Sequence, residues 1–287
     1  MFKTFSHILY KILSSINYLF IKILNRNFLY FFKEFFENKS YNSIRVNSKK
    51  IHFFTSNNLL KWRFDTFLEK EPETIEWIKS FNNSKEFIFW DIGANVGQYS
   101  IYSAVLFKNC KVVAFEPSVN NLRILARNIS INKLEKIIKI LPLALSNKTN
   151  KFLTLNESNF IEGSAHNNFG NNFDSSGKTF QSNFKYTTYG TTINYLLKNK
   201  ILKIPDYVKI DVDGIEHLIL SGAGNFLKHN KIKSLSIEIN ENFKEQYNFI
   251  IKIMKKNNFK ILHKKHNSKY HQLSSSKKVY NYIFIKN

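Results

Sequence analysis

The stretch Phe87-Ile-Phe-Trp-Asp-Ile-Gly-Ala-Asn-Val-Gly-Gln-Tyr-Ser-Ile-Tyr102 decides the fold. An apolar run leads to Asp91, a glycine-containing turn follows at 93–97, and a helix-like segment comes next. A second apolar run ends in Glu116, about 25 residues after Asp91. Ligands of open α/β sheets bind at the carboxyl ends of the strands, so two strands that each end in a carboxylate predict a nucleoside-binding α/β domain.

The residues of the turn indicate which nucleoside binds. A dinucleotide-binding turn needs glycine at the position of Asn95 so that the backbone can approach a pyrophosphate, and Asp91 would repel that group. Both features disfavour a nicotinamide dinucleotide and favour a ligand with a cationic end and a ribose, such as S-adenosylmethionine. Its amino acid part would lie over the Gly93–Gly97 turn, and Glu116 would accept hydrogen bonds from the ribose hydroxyls. The alternative is a plain strand-to-helix turn whose glycines serve only for positive φ.

Length and composition allow one substantial domain with an extension. The chain has 287 residues, 43% of them hydrophobic, which is enough for a large core. Its 43 basic and 21 acidic residues give a net charge of +22, which alone would suggest a nucleic acid or an anionic membrane as partner. The lysines are scattered, without an Arg-rich block or an RNA-binding aromatic motif, so nucleic acid is the less favoured partner. Cys110 is the only cysteine, which excludes an intrachain disulfide and fits a cytoplasmic location.

Residues 1–36 form a basic, amphipathic leader. Apolar residues recur at helical spacing from Phe5 to Ile23, and basic residues such as Lys11 collect on the other face. Its uncharged runs are shorter than the roughly 20 residues that a membrane span needs. The leader is therefore expected either to lie in an anionic membrane surface, as a peripheral contact on the inner face of the membrane, or to pack on the domain or on a second subunit.

From Phe87 onward, apolar runs alternate with amphipathic segments, as in a mostly parallel sheet with helices on both faces. We predict strands at 87–91, 111–116, 137–142, 206–211, 234–239, 259–264 and 279–285. Helices are predicted at 97–108, 118–131, 215–228 and 241–256. A small hairpin at 43–54 and a helix that begins at Pro72 precede them. The count predicts an α/β fold with a seven-stranded, mostly parallel sheet.

A long insertion, about 147–190, separates the third and fourth predicted strands and is rich in Asn, Ser and Gly. A connection of this length is usually functional or disordered. The insertion is expected either to act as a lid over a substrate or to be a flexible surface loop with a biased composition.

The end of the fourth predicted strand carries a second group of charged residues. Asp211, Asp213 and Glu216 are close in sequence, and their carboxylates would repel one another unless a cation lies among them. Lys209, a divalent metal and the cationic end of the ligand are the candidates, and Glu238 ends the next strand at the same edge. Asp211 could act as general base for a hydroxyl or hold a metal that lowers the pKa of that hydroxyl. Alternatively, Asp213 and Glu216 cap the following helix.

Taken together, these motifs resemble the FkbM family of S-adenosylmethionine-dependent methyltransferases. The matching segments are Trp90-Asp-Ile-Gly-Ala-Asn-Val-Gly-Gln-Tyr-Ser100, Ala114-Phe-Glu-Pro117, Asn128, Leu143-Ala-Leu145, Lys209-Ile-Asp-Val-Asp-Gly-Ile-Glu216, Leu220-Ser-Gly-Ala223 and Ile237-Glu238. The resemblance implies a Rossmann-like methyltransferase fold with helices on both faces of the sheet. It also implies transfer of a methyl group, usually to oxygen and often on a sugar or a natural-product scaffold.

The resemblance implies roles for individual residues as well. The cofactor would contact Asp91, Gly93, Asn95 and Gly97 at its amino acid end, Glu116 at its ribose, and Leu143 and Ala144 near its adenine. Asp211 and Asp213 are the catalytic candidates, and Glu238 would join them as ligands of a divalent metal. Two positions depart from the family pattern, because Asn194 stands where relatives commonly have Asp, and Asp213 stands where they have Glu.

We therefore expect an O-methyltransferase that uses S-adenosylmethionine to methylate a hydroxyl of a glycan or another small-molecule acceptor. The expected organisation is a basic helical extension at 1–40 and a methyltransferase domain at 41–287, with its core at 66–240. Two alternatives remain. One is an RNA-directed methyltransferase, which the charge of +22 favours; the other is a catalytically inactive, membrane-peripheral binding protein, which Asn194 would fit.

Overall fold

The computed structural model describes residues 2–165, 167–179, 182–270 and 278–286. The helices in these residues are α1 (Phe2–Leu24), α2 (Leu29–Lys39), α3 (Asn58–Lys70), α4 (Pro72–Lys79), α5 (Gln98–Leu106), α6 (Val119–Ile131), α7 (Ile193–Lys198), α8 (Glu216–Ser221) and α9 (Lys244–Lys256). The strands are β1 (Tyr41–Val46), β2 (Lys49–Phe54), β3 (Phe87–Ile92), β4 (Cys110–Phe115), β5 (Ile138–Leu141), β6 (Ala144–Leu145), β7 (Lys151–Glu157), β8 (Asn168–Phe169), β9 (Phe184–Thr191), β10 (Tyr207–Ile210), β11 (Ser234–Asn240), β12 (Phe259–Lys265) and β13 (Val279–Lys286).

Seven strands form the central sheet, in the order β12-β13-β11-β10-β3-β4-β5. The strands from β11 to β5 in this order are parallel, and β13 runs antiparallel to both of its neighbours. The order of the strands reverses between β3 and β10. Such a reversal is a topological switch point, at which open α/β sheets bind ligands. The predicted α/β class with a mostly parallel seven-stranded sheet is confirmed.

The predicted boundaries of these seven strands agree with the structure to within one residue. The predicted helix at 215–228 is wrong as a single element, because α8 ends at Ser221 and only a short 3-10 helix, Phe226–Lys228, follows. A β-carbon on Gly222 would lie 2.3 Å from the carbonyl oxygen of Ser146, so the chain passes too close to its neighbour for an ordinary helical residue there. Helix α3 was not predicted; the side chain of Asn57 caps it by accepting a hydrogen bond from the main chain of Leu60.

An apolar core covers each face of the sheet, because consecutive strand residues point to opposite faces. Along β3, Phe87 and Phe89 pack with residues of α4 and α5 on one face. Ile88 and Trp90 pack with residues of α8 and α9 on the other face. Asp91 follows in this alternation on the face of α5, so a carboxyl group enters the protein interior at the end of the strand.

The insertion is folded along much of its length. Together with β6 it forms a second sheet, in the order β6-β9-β7-β8. Strands β7 and β9 pair antiparallel along the whole of β7, from Lys151 to Glu157. The segment between β7 and β8 returns to the carboxyl edge of the central sheet, and it therefore takes part in the site described below.

The leader forms a helical hairpin of α1 and α2. Asn17 of α1 is buried, and its Oδ1 accepts hydrogen bonds from the main chain of Phe28 (3.0 Å) and Leu29 (3.4 Å) at the start of α2. Glu37 of α2 binds Arg127 of α6 through an ion pair of 2.6 Å, which ties the hairpin to the central domain. Most apolar side chains of α1 remain exposed. By length and composition, α1 is also a candidate membrane-spanning helix.

Candidate active site

The turn between β3 and α5 requires its glycines. Gly93 and Gly97 have φ values of +85° and +86°, a conformation that side chains with a β-carbon disfavour. A β-carbon on Gly93 would lie 1.9 Å from the carbonyl oxygen of Asp211, at the end of β10. Asn95 is also left-handed, at φ +50°, a conformation that asparagine tolerates better than most residues. The turn thus brings the main chains that follow β3 and β10 into direct contact.

Glu116 follows β4, and the neighbouring main chain fixes its carboxylate. Its Oε2 accepts a hydrogen bond from the amide of Asn95 (2.7 Å), and its Oε1 accepts one from the amide of Ser118 (2.9 Å). Burial raises the pKa of Glu116 to about 7 although these two hydrogen bonds oppose the shift. The two oxygens therefore have a fixed orientation, and each retains a lone pair for a ligand hydroxyl.

A cavity of about 60 Å³ lies at the carboxyl ends of β3, β4 and β10. The residues that were predicted from the sequence and line this cavity are Gly93, Asn95, Glu116, Leu143, Ala144, Asp211 and Asp213. Asp91, Gly97 and Glu238 do not line it. The structure therefore brings most of the predicted cofactor and catalytic residues around one cavity, with apolar residues on the side of Leu143.

Asp91 lies behind the turn and is buried. Its Oδ2 accepts a hydrogen bond from the hydroxyl of Ser100 (2.6 Å), and its Oδ1 has no hydrogen-bond partner among the residues the structure describes. Burial raises the pKa of Asp91. Trp90 and Tyr99 flank the turn, and Trp90 is a core residue that stacks on Phe226. Neither aromatic side chain lines the cavity.

Several ionisable side chains gather beside the cavity on the α5 face of the sheet. We call this group the charged cluster; it comprises Glu71, Asp91, Tyr99, Lys209, Asp211 and Glu238. Lys209 and Asp91 are paired neighbours on β10 and β3, so their side chains leave the sheet on the same face. Lys209 Nζ donates to Asp211 Oδ2 at 2.5 Å and lies 4.9 Å from the centre of the Tyr99 ring. Although burial opposes its charge, Asp211 and Glu71 raise the pKa of Lys209.

The other members complete the charge balance of the cluster. Tyr99 donates its hydroxyl to Glu71 Oε2 (2.8 Å), and Lys70 binds Glu71 Oε1 (3.0 Å). Against the effect of burial, Lys70 and Lys209 lower the pKa of Glu71 to about 2. Burial, reinforced by the charge of Asp211, raises the pKa of Glu238 well above its usual range. The cluster therefore favours a charged Glu71 and a protonated Glu238, with Lys209 as the central cation.

The loop after β10 is shaped by Glu216 rather than by a ligand. The buried carboxylate of Glu216 accepts hydrogen bonds from the amides of Val212 and Gly214 and from the side chain of Gln246. Burial raises the pKa of Glu216 to about 8. Asp213 is left-handed at φ +59° and lines the cavity. Of the two acidic residues whose roles were left open, Glu216 thus supports the loop, and Asp213 faces the site.

A segment of the insertion, residues 161–165, covers the cavity. The carbonyl oxygen of Ser164 accepts hydrogen bonds from the side chains of Asn95 (2.8 Å) and Asn121 (3.1 Å), and Asn121 also binds the amide of Gly163 (2.9 Å). A cavity of about 60 Å³ holds only about two water molecules, whereas ligand sites usually measure roughly 300–1,000 Å³. Residues 161–165 narrow the cavity, and the lid hypothesis, in which this segment moves aside when a nucleoside binds, stays a prediction.

Sequence reasoning did not identify Asn121, Ser164 or Glu71. A signal for Asn121 exists, because it lies three residues after Ser118, whose hydroxyl caps α6 and accepts a hydrogen bond from the amide of Asn121. Ser164 and Glu71 reach the site through tertiary contacts, and the local sequence gives no sign of them. Asn194, the departure from the family pattern, lies against Gly224 and does not line the cavity.

The proposed metal ligands are Asp211, Asp213 and Glu238. Within the described part of the chain, no group of three or more His, Cys, Asp or Glu side chains has an arrangement that could hold a metal ion. The cation next to Asp211 is instead the ammonium group of Lys209.

The residues around the cavity fit S-adenosylmethionine. Glu116 occupies the place after the second strand at which an acidic residue holds a ribose. Asn95 Oδ1 is a buried oxygen at the cavity wall without a hydrogen-bond partner in the described ranges, and buried acceptors of this kind are normally satisfied. It is a suitable acceptor for the ammonium group of the cofactor, whereas Asp91 lies behind the turn and contributes its negative charge from there.

The fold and the site define a Rossmann-like, S-adenosylmethionine-dependent methyltransferase. The sequence model of the family described as methyltransferase FkbM domain matches residues 91–261, more than half of the chain. The chain therefore belongs to the FkbM methyltransferase family, as its motifs predicted. No curated protein sequence matches the chain.

Solved structures similar to this chain include the following three. Precorrin-6y C5,15-methyltransferase from Geobacter metallireducens GS-15 is 13% identical, with a TM-score of 0.43 over 76% of this chain and 89% of that chain. TrmK of M. capricolum in complex with S-adenosyl-homocysteine is 18% identical, with a TM-score of 0.42 over 75% and 68%. TYW2 of P. horikoshii in complex with MeSAdo is 11% identical, with a TM-score of 0.44 over 86% and 72%.

Proposed function

We propose that this enzyme transfers the methyl group of S-adenosylmethionine to a hydroxyl oxygen of a glycan or a similar polyhydroxylated acceptor. The observation that carries the proposal is the position of Asp211. Asp211 lines the cofactor cavity, and its Oδ2 accepts a hydrogen bond from Lys209 Nζ (2.5 Å), which makes it part of the charged cluster. A carboxylate at this junction suits the role of general base, because it can accept a hydroxyl proton while the oxygen is methylated.

One side of the cavity binds the cofactor, and the other side orients and deprotonates the acceptor hydroxyl. Glu116 and the turn at 93–97 bind the ribose and the amino acid part of the cofactor. When bound, S-adenosylmethionine supplies an electrophilic methyl group. Lys209 orients the carboxylate of Asp211, and Asp213 lies beside it at the cavity wall. Alignment of the acceptor hydroxyl by these groups can supply several kcal/mol of barrier lowering.

Two features support a hydroxyl-rich acceptor. The family to which the chain belongs commonly methylates oxygen on sugars and natural-product scaffolds. The insertion beside the site is rich in Asn, and one of these residues, Asn167, lines the cavity. Its buried Oδ1 has no hydrogen-bond partner in the described part of the chain, so it can accept a hydrogen bond from an acceptor hydroxyl.

The test is an assay of methyl transfer from labelled S-adenosylmethionine to saccharides, to saccharide-containing lipid extracts and to RNA. We expect label in the saccharide fraction and methyl ethers in its hydrolysate. Asp211→Asn should lower turnover by about 10²–10⁴-fold, the usual contribution of a general base, without weakening S-adenosylmethionine binding in calorimetry. Asp65→Asn, a change of the same kind at an exposed residue of α3, is the matched control and should leave turnover unchanged.

The principal rival is methylation of RNA, which the net charge of +22 favours. Label in RNA, with binding that weakens steeply as salt is added, would establish that rival and refute the glycan acceptor. Full turnover of Asp211→Asn on a hydroxyl acceptor would remove Asp211 from the mechanism while leaving the methyltransferase assignment in place.

A further inference from the structure

The hairpin of α1 and α2 has a free apolar surface that the methyltransferase activity does not use. One side of α1 carries an apolar stripe, which we define as Phe5, Ile8, Ile12, Ile16, Leu19 and Ile23. These side chains are three or four residues apart, so they lie on one face of the helix. Each of them is between 42% and 75% exposed. Such a contiguous apolar surface on a folded protein usually marks an interaction site.

The charges of the hairpin indicate what the stripe contacts. Residues 1–33 contain four lysines and one arginine, and the first acidic residue of the chain is Glu34. Lys3, Lys11 and Lys22 are exposed and lie outside the stripe. Lys11 and Lys22 follow the stripe residues Ile8 and Leu19 by three positions, so they lie along its edge. An amphipathic helix with a cationic polar face binds in the plane of an anionic bilayer, with its apolar face among the acyl chains and its cations among the headgroups.

The same charges disfavour a second copy of this chain as the partner. Helices that pair through a stripe of this spacing are usually stabilised by opposite charges at its edges. Two copies of α1 would bring lysines together with no carboxylate in residues 1–33 to pair with them. A bilayer that contains anionic lipids satisfies both the apolar stripe and the cations.

The hairpin also has a defined attachment to the catalytic domain. Glu37 of α2 binds Arg127 and Arg123 of α6, at 2.6 Å and 3.3 Å. A cavity of about 710 Å³ separates the hairpin from the domain, and it is lined by Phe36 on the hairpin side and by Arg123 and Glu162 on the domain side. Glu162 belongs to the segment at 161–165 that covers the active site. A surface bound by the hairpin would therefore lie close to this cover.

We propose that the hairpin docks the enzyme on an anionic lipid bilayer, with the apolar stripe of α1 inserted into the membrane interface. The helix lies in the membrane plane, because its polar side chains, including Lys11 near its middle, occupy a whole face. The membrane contact does not depend on the identity of the methyl acceptor.

The test is flotation of the full chain with vesicles of phosphatidylcholine alone and of phosphatidylcholine mixed with phosphatidylglycerol. We expect at least about tenfold stronger binding to the anionic vesicles and a loss of binding at high salt, because each basic residue near such a surface contributes about fivefold. The double variant Ile12→Glu/Ile16→Glu should lose at least about tenfold of this binding. Its affinity for S-adenosylmethionine should be unchanged, which shows that the domain remains folded.

Ile261→Glu/Leu262→Glu is the matched control. It makes the same change of charge at two exposed apolar residues of β12, outside the hairpin, and should retain vesicle binding. The proposal is overturned if the wild-type chain does not float with anionic vesicles, or if both double variants lose binding equally. It is also overturned if light scattering shows a dimer that only Ile12→Glu/Ile16→Glu dissociates while vesicle binding persists, because the stripe would then be the interface between two copies.

Discussion

The ends of β4 and β10 face the same cavity but hold their carboxylates in different ways. At β4, Glu116 is fixed by two main-chain amides from residues close in sequence or in the adjacent turn, and burial raises its pKa to about 7. At β10, Asp211 is fixed by the side chain of Lys209 inside the charged cluster. The first arrangement depends on local backbone geometry, whereas the second depends on a balance of several charges.

The difference suggests that Glu116 and Asp211 have different functions. A carboxylate held by amides can bind neutral ribose hydroxyls without a nearby counter-ion. A carboxylate oriented by a lysine at the cavity wall can accept the proton of an acceptor hydroxyl, which is the role proposed for Asp211. We therefore expect changes at β4 to affect cofactor binding and changes at β10 to affect stability and turnover.

Lys209→Met should lower the free energy of unfolding by about 3–5 kcal/mol at neutral pH, the usual cost of removing one partner from a buried ion pair. The loss arises because the partly buried Asp211 loses its ion-pair partner and the buried Glu71 keeps only Lys70 as a nearby cation. Urea unfolding measures it. Lys233→Met removes a half-exposed lysine beside Asp206 and should cost at most about 1 kcal/mol. Equal effects of the two variants would show that the charged cluster does not depend on Lys209.

Glu116→Ala should weaken S-adenosylmethionine binding by at least about 100-fold, because hydrogen bonds to a charged group contribute about 1.5–3 kcal/mol each. Calorimetric titration measures the change. Glu135→Ala removes a fully exposed carboxylate after α6 and serves as the control. If Glu116→Ala binds the cofactor normally but loses turnover, the end of β4 serves turnover rather than cofactor binding, which contradicts the separation of roles.

The pKa of Glu116 predicts how stability changes with pH in the ligand-free enzyme. Burial raises this pKa from 4.5 to about 7, so the folded protein binds the proton of Glu116 more tightly than the unfolded chain does. The resulting contribution of Glu116 to the free energy of unfolding is complete below about pH 4.5 and is lost as the pH rises through about 7. The free energy of unfolding should fall over this range by up to about 3 kcal/mol because of this group. Glu116→Gln should remove that part of the slope, as measured by urea unfolding at several pH values. The exposed Glu86→Gln should leave the slope unchanged, and a flat wild-type profile would contradict the prediction.

Asp91→Asn tests whether the carboxylate behind the turn contributes to cofactor binding, as Glu116 is expected to do. Asparagine keeps an acceptor for Ser100 but loses the charge that would attract the ammonium group of the cofactor. We expect about tenfold weaker binding of S-adenosylmethionine, at the lower end for a charged hydrogen bond, in the same titration. An unchanged affinity with a higher thermal stability would instead show that Asp91 only supports the turn and is a buried charge without a ligand.

Local patterns were sufficient to predict the sheet and several residues of the cavity wall, whose roles toward the cofactor stay predictions. Strands such as β3 and β10 are short, apolar and bounded by turns, and the glycine turn and Glu116 are local motifs. Helix α8 was predicted too long, because its end depends on the close approach of Gly222 to Ser146, which lies far away in sequence. Lys209, Asp211 and Glu238 of the charged cluster were predicted to lie at one edge of the sheet, and the insertion was predicted as either a lid or a surface loop. Glu71 and Ser164 were not predicted, since they reach the site only through tertiary contacts.

The contact between Gly93 and the carbonyl group of Asp211 has a consequence for the precision of methyl transfer. Displacements of about 1 Å between reacting groups can cost about 100-fold in rate. Two polypeptide segments that abut with only a hydrogen atom between them have little freedom to drift apart or together. Because Gly93 has no side chain, the turn that we propose to hold the methyl donor lies directly against the carbonyl group of Asp211, the proposed base. A larger residue at this position would push the turn away from Asp211 and misalign the proposed cofactor site and the proposed base.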